Sequence, residues 1–218
     1  MYYQFLIEDK SSELLIDVLM RKFTLLYPET VYNCKSFHGI GGFSKRNTIK
    51  ETKTGHLLND LATYLRGFNK SLQSFPSVIV VVLDNDDNNT KEFHDSLESV
   101  ATQNMIEVDH VFCIAVEEVE AWLLGDERAI TTAYPNVKLS VLRSYEQDSI
   151  CGTWEKLADA IYPGGYTKLI KNAVSYAEIG RIKAEWSKNI GAYMEFDSNN
   201  SPSFNVFFSE IQKRAVIA

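Results

Sequence analysis

The chain has 218 residues, 45% hydrophobic and 23% charged, which is enough apolar material for one globular core and excludes a mainly disordered chain. Its 22 basic residues face 29 acidic ones, a formal net charge of −7. That balance excludes a protein that coats nucleic acid through cationic charge, and leaves open one that reaches phosphate through bound divalent cations.

Three widely spaced cysteines, Cys34, Cys113 and Cys151, exclude a disulfide framework and a CxxC zinc pattern, so a reducing, cytoplasmic setting is expected. The first residues carry no basic leader, and the longest apolar run, Val78 to Leu83, is far shorter than the roughly 20 residues of a membrane helix. A soluble chain without a signal peptide is the expectation.

In chain order, Tyr2 to Ile7 reads as a strand. Glu13 to Phe23 follows as a helix with Leu14, Leu15, Val18 and Leu19 at helical spacing, capped by Ser11 or Ser12. Thr30 to Phe37 is a second strand candidate. It runs into the glycine-rich stretch Gly39-Ile40-Gly41-Gly42 and a basic loop through Lys53. Leu57, Leu58, Leu61, Leu65 and Phe68 mark a helix. Ser77 to Leu83 is an unbroken β-branched run, as in a strand buried on both faces. Thr90 to Gln103 reads as a helix, Val111 to Val116 as a fourth strand, and Glu117 to Gly125 as a short helix stopped by glycine. Four helical segments then follow: Thr153 to Tyr162, Tyr166 to Tyr176, Ile179 to Met194 and Ser203 to Ala215, the last with Ser201 as N-cap and Pro202 at its first position.

Strands alternating with helices predict an α/β fold, a parallel four-strand sheet flanked by helices, with a helical C-terminal extension. The division expected is a core over residues 1–130 and an extension over 131–218. In such a sheet the carboxyl ends of the strands share one edge, where ligands bind.

Acids gather at that edge. Glu8 follows the first strand, Asp84 and Asp86 the third, and Glu117, Glu118 and Glu120 the fourth. Carboxylates at i and i+2 across a strand-to-loop turn can swing toward one point and offer the all-oxygen environment that Mg²⁺ or Mn²⁺ prefers. Several buried carboxylates without a cation repel one another and take up protons, so the cluster itself argues for a metal. Taken alone, Asp84 to Asn89 also reads as a solvated Asx turn, and the glutamates as acids that favour a helix N-terminus. Helical spacing puts Glu117 and Glu120 on one face and turns Glu118 elsewhere.

Three stretches together resemble a known family: Glu8-Asp9-Lys10-Ser11-Ser12-Glu13, Leu83-Asp84-Asn85-Asp86-Asp87 and Glu118-Val119-Glu120-Ala121-Trp122-Leu123-Leu124. They look like the Toprim-related nuclease-like proteins of phage-defence operons, akin to the nuclease part of the overcoming-lysogenization-defect (OLD) proteins and to the AbiL second component. The resemblance covers roughly residues 1–130. It departs from the pattern at Asp9, where glycine is common, and at Ser12, where a second acid is common. It implies a Toprim-like sheet and a metal-dependent nuclease acting on DNA or RNA in anti-phage defence. It also implies Glu8, Asp84 and Asp86 as catalytic residues, and Glu8, Asp84, Asp86, Glu118 and Glu120 as ligands of Mg²⁺ or Mn²⁺, two ions in all. The partner implied is an ABC/AAA-type ATPase on a separate chain, and a homo-oligomer is compatible with it.

Phosphodiester cleavage also calls for a cation on the phosphate. The candidates are Lys45, Arg46, Lys50 and Lys53 in the glycine-rich loop, and Lys168, Lys171 and Lys188 in the tail. That loop lacks the GxxxxGK[ST] order, so ATP hydrolysis by this chain is not expected. Two other readings stay open: a non-catalytic Toprim-like scaffold that binds an ATPase, and a glycosyltransferase that holds a metal and a nucleotide-sugar diphosphate with its Asp-x-Asp pair.

Overall fold

The computed structural model describes residues 1–39, 41, 56–86 and 88–217. Most of the glycine-rich loop, with Lys45, Arg46, Lys50 and Lys53, lies outside the described residues, as does Asp87. The elements in order are β1 (Tyr2–Ile7), α1 (Lys10–Leu26), β2 (Val31–Ser36), α2 (Leu57–Leu72), β3 (Ser77–Asp84), α3 (Thr90–Gln103) and β4 (Asp109–Ala115). Six helices follow: α4 (Glu120–Leu124), α5 (Glu127–Ala133), α6 (Leu139–Leu142), α7 (Thr153–Ile161), α8 (Gly165–Asn172) and α9 (Tyr176–Gly191), with α10 (Pro202–Ile217) closing the chain.

The four strands form one all-parallel sheet in the order β2-β1-β3-β4. All eight residues of β3 are buried, because it lies inside the sheet with helices over both faces. Burying each Val, Ile or Leu of this strand contributes about 1.5–3 kcal/mol relative to exposure. Residue alternation splits the strands between two cores. Leu6, Ile79, Val81, Leu83, Phe112 and Ile114 pack with α2 and α3. Tyr3, Phe5, Ile7, Val78, Val80, Val82 and Cys113 pack on the other face with α1 and helices from the C-terminal third.

The second face explains the helical tail. Of the helices connecting the strands, α1 lies there and α2 and α3 lie opposite, so a single crossover helix would leave much of that face wet. Phe204, Phe207 and Ile211 of α10 and Trp186 and Ile190 of α9 complete it. Tyr3 Oη donates to the Ile211 carbonyl at 2.7 Å, and the Trp122 indole N–H donates to Ser203 Oγ at 2.9 Å, so the buried polar tips are satisfied where tail meets core. Trp122 stacks on Phe207 with ring centroids 4.9 Å apart.

Three local expectations change. The cap of α1 is Asp9, whose carboxylate accepts the Ser12 N–H at 2.8 Å, and Ser11 and Ser12 fall inside the first turn. The helix after β4 begins at Glu120 rather than Glu117, because Glu117 sits at φ +60 and cannot continue a right-handed helix. Gly125 has an ordinary helical backbone at φ −66; its small size matters because a Cβ there would meet Asn199 Oδ1 at 2.0 Å. The short helices α5 and α6, absent from the sequence reading, fill the stretch after Asp126. No helix among the described residues is long and apolar enough to cross a membrane.

Candidate functional site

The strand order reverses between β1 and β3, since β1 runs to β2 on one side and to β3 on the other. Chain paths diverge there and open a crevice at the carboxyl ends, the usual ligand position in an open parallel sheet. Glu8 leaves β1 at that point, and Asp84 is the last residue of β3.

Backbone bonds between the loops fix the two acids. Glu8 Oε2 accepts the Asp84 N–H at 2.9 Å, and Asp84 Oδ1 accepts the Val119 N–H at 2.9 Å. The β3 loop is tied to the β4 loop by Asn85 N–H to the Ala115 carbonyl and Asp86 N–H to the Glu117 carbonyl, both at 2.9 Å. Asp86 and Glu117 both adopt positive φ, +48 and +60, so two tight turns present the acids that follow the two strands. Asp86 is exposed, whereas Asp84 is buried.

Glu118 and Glu120 belong to the same group, and Glu117 does not. The Glu117 carboxylate turns away and accepts the N–H groups of Cys151, Gly152 and Thr153 at 3.1, 2.8 and 2.9 Å, anchoring the start of α7. The helical-face expectation for Glu117 and Glu120 therefore fails, because Glu117 at φ +60 lies outside the helix that begins at Glu120. Glu118 Oε1 instead meets Lys183 Nζ at 3.4 Å, and Glu120 Oε2 meets the same ammonium at 3.2 Å.

Lys183, on α9, was missed in the sequence; Lys168, Lys171 and Lys188 were the tail lysines considered there. Its signal was present, for Lys183 falls within the apolar helical stripe of Ile179, Ile182, Trp186 and Ile190, a costly place for an ammonium with no partner.

Electrostatics bind these side chains into one unit. Burial pushes the Glu8 carboxyl up to about 7, against the Asp84 N–H, with the charges of Asp9 and Asp86 adding to the rise. Burial likewise raises Glu120 to about 7, with Lys183 opposing. Asp84 is held well above the usual carboxylate range, first by burial and then by Glu8 and Glu120. Glu118 is raised by burial, with Lys183 pulling the other way. Burial disfavours the Lys183 ammonium, yet Glu120, Glu118 and Asp84 outweigh it and its pKa rises.

The donor set suits a hard divalent cation, being composed of carboxylate oxygens. Hydrogen bonds among the described residues engage one oxygen each of Glu8 and Asp84. Glu120 is fully buried, and the contact of its carboxylate among the described residues is the 3.2 Å ion pair of Oε2 with Lys183. Such a carboxylate is costly to bury and is satisfied by a cation. Among the described residues no three acid, histidine or cysteine side chains already stand in ligand geometry. Glu8 and Asp84 would hold a metal by rotating their remaining oxygens inward, with Asp86 approaching from the exposed side and Glu118 and Glu120 joining them or remaining on Lys183. Comparison of the chain with protein-family models, with curated proteins and with solved structures returned no match.

Proposed function

We propose that the chain is a metal-dependent phosphodiesterase of Toprim-like type, cutting DNA or RNA in the cytoplasm as part of anti-phage defence beside a separate ATPase chain. One observation carries the reaction class. At the strand-order reversal Asp84 and Glu120 are buried and Glu8 half-buried, all three with raised pKa values, and among the described residues Lys183 is the ammonium that compensates them. The defence setting and the ATPase partner rest on the resemblance of the three acidic stretches.

A divalent ion held there would lower the pKa of an attacking water and neutralise the leaving oxygen. In this reading Glu8 and Asp84 hold and orient the ion from the two strand ends, and Glu8 takes the proton of the attacking water. Asp86 approaches from the exposed side. Lys183 favours the ionised forms of Glu118 and Glu120 and offers positive charge to a phosphate entering the crevice. Asp84, through its bond to Val119, keeps the β3 and β4 loops in register.

The test is incubation of the purified chain with supercoiled plasmid and with total RNA, in Mg²⁺, Mn²⁺ or EDTA, beside Glu8→Gln and Asp84→Ala. Metal-dependent cutting that falls at least about 100-fold in each variant is the expected result. Cutting that persists in EDTA, or in both variants, contradicts the reading.

A non-catalytic scaffold is the second reading. The observation favouring it is that Lys183 already neutralises part of the acid group without a metal. It predicts no cleavage and no metal uptake in any condition.

A further inference from the structure

A second cavity lies beside the acid cluster. It encloses about 570 Å³ between α7, α8 and the start of α9, lined by Trp154, Glu155, Tyr166, Ile170, Tyr176 and Ile179. Trp154 belongs to both places. Lys183 Nζ stands 5.8 Å from its ring centroid while pairing with Glu118 and Glu120, so Trp154 joins the cavity to the acid cluster.

The lining is rigid and aromatic. Trp154 and Tyr166 meet edge to face with centroids 5.1 Å apart. The α9 start that carries Tyr176 is fixed by a reciprocal cap, Ser175 Oγ accepting the Glu178 N–H at 3.3 Å and Glu178 Oε2 accepting the Val174 N–H at 2.9 Å. Tyr176 and Val174 are nonetheless each 91% exposed, with Ile170 at 40%, a concentration of apolar surface that the fold itself does not use.

Polar features of the same wall select among ligands. Glu155 lines the cavity, with its Oε2 buried beside Gly152, where an added Cβ would stand 2.9 Å from it. Residues 153–183 carry five basic and three acidic side chains, a local excess of positive charge in a chain whose net charge is −7. Flat aromatic walls and the local excess of positive charge together match a base with its backbone phosphates.

We infer that this cavity is a subsite for one unpaired nucleobase of the strand held at the acid cluster, which makes single-stranded nucleic acid the substrate class. The inference rests on the phosphodiesterase reading for the position of the strand. Within a duplex every base is stacked and paired, so filling the cavity costs base extrusion, whereas a single strand enters without that cost. Trp154 and Tyr176 supply the stacking surface.

The test is a binding measurement that needs no cleavage. A fluorescein-labelled, phosphorothioate-linked dodecamer of mixed sequence is titrated, single-stranded and as a duplex, with the chain and its Trp154→Leu and Tyr176→Ala variants in Mg²⁺. Single strand is expected to bind at least about 10-fold more tightly than duplex, and each variant to lose about 10-fold for the single strand alone. Binding is also expected to quench tryptophan emission, because Trp122 and Trp186 are buried and Trp154 is half-exposed; the quench disappears in Trp154→Leu. Tyr176→Ala removes an exposed ring and keeps the test valid if Trp154→Leu disturbs folding. Equal affinity for strand and duplex, or unchanged single-strand affinity in Tyr176→Ala, overturns the subsite. Cleavage of the ordinary phosphodiester strand is read separately and bears on the acid cluster alone, so failure of one reading is distinguishable from failure of the other.

Discussion

Lys183 is the residue on which the electrostatics of the crevice turn. Its side chain is 15% exposed and lies within 3.4 Å of two glutamates, one of them fully buried. Lys183→Met leaves Glu118 and Glu120 facing each other without a countercharge, and removal of one partner from such a buried group costs about 3–5 kcal/mol. The loss is expected in thermal or urea unfolding at pH 8 and shrinks at pH 5, where Glu120, raised to about 7, holds its proton. A loss independent of pH would mean that Lys183 acts through packing alone.

The acids make a related prediction for the metal-free chain. Glu8 and Glu120 stand at about 7 in the fold against an ordinary value of 4.5. A carboxyl group with a raised folded pKa binds its proton more tightly in the fold. Its stabilisation is therefore complete below about pH 4.5 and is lost as pH rises through 7. The melting temperature in EDTA is expected to fall between pH 5 and pH 8, and Glu120→Gln, which cannot ionise, is expected to flatten that fall. A wild-type melting temperature that rises over the same interval contradicts the assignment.

At the scale of elements, β1, β2, β3, α3 and the tail helices α7 to α10 were legible within a few residues, because alternation, β-branched runs and apolar stripes are local signals. The entry to α4 was not. Whether Glu117 continues a helix is decided by its bonds to Cys151, Gly152 and Thr153, some 35 positions away, which spacing cannot reveal. The cap of α1 was misassigned because Asp9 and two serines offer equivalent oxygens, and the choice falls to the one whose backbone is extended, Asp9 at φ −142 and ψ 178. Asp9→Ala is expected to destabilise the chain by about 1 kcal/mol. The α1–α9 crossing is set by Gly191, where an added Cβ would stand 2.9 Å from Leu15 Cδ1. Gly191→Val is expected to cost about 1–3 kcal/mol in urea unfolding, whereas the same change at Gly67, which meets nothing within 4 Å, costs much less.

At the scale of the molecule, the parallel sheet places the ends of β1, β3 and β4 on one edge, and the C-terminal helices complete that edge with Lys183 and Trp154. The sequence showed the acids and the three strands that carry them. It did not show the convergence of α9 on those strands, because the contact of Lys183 with Glu118 and Glu120 spans more than 60 positions. The central claim is that the carboxylates at this edge are a divalent-metal site. It is tested most directly by titrating the EDTA-stripped chain with Mn²⁺ at pH 7.5 in a calorimeter, beside Asp84→Asn and Glu8→Gln. Saturable binding of one or two ions, accompanied by proton release and abolished or weakened at least about 10-fold in both variants, is the predicted result. Binding that is absent in the native chain, or unchanged in both variants, would contradict it.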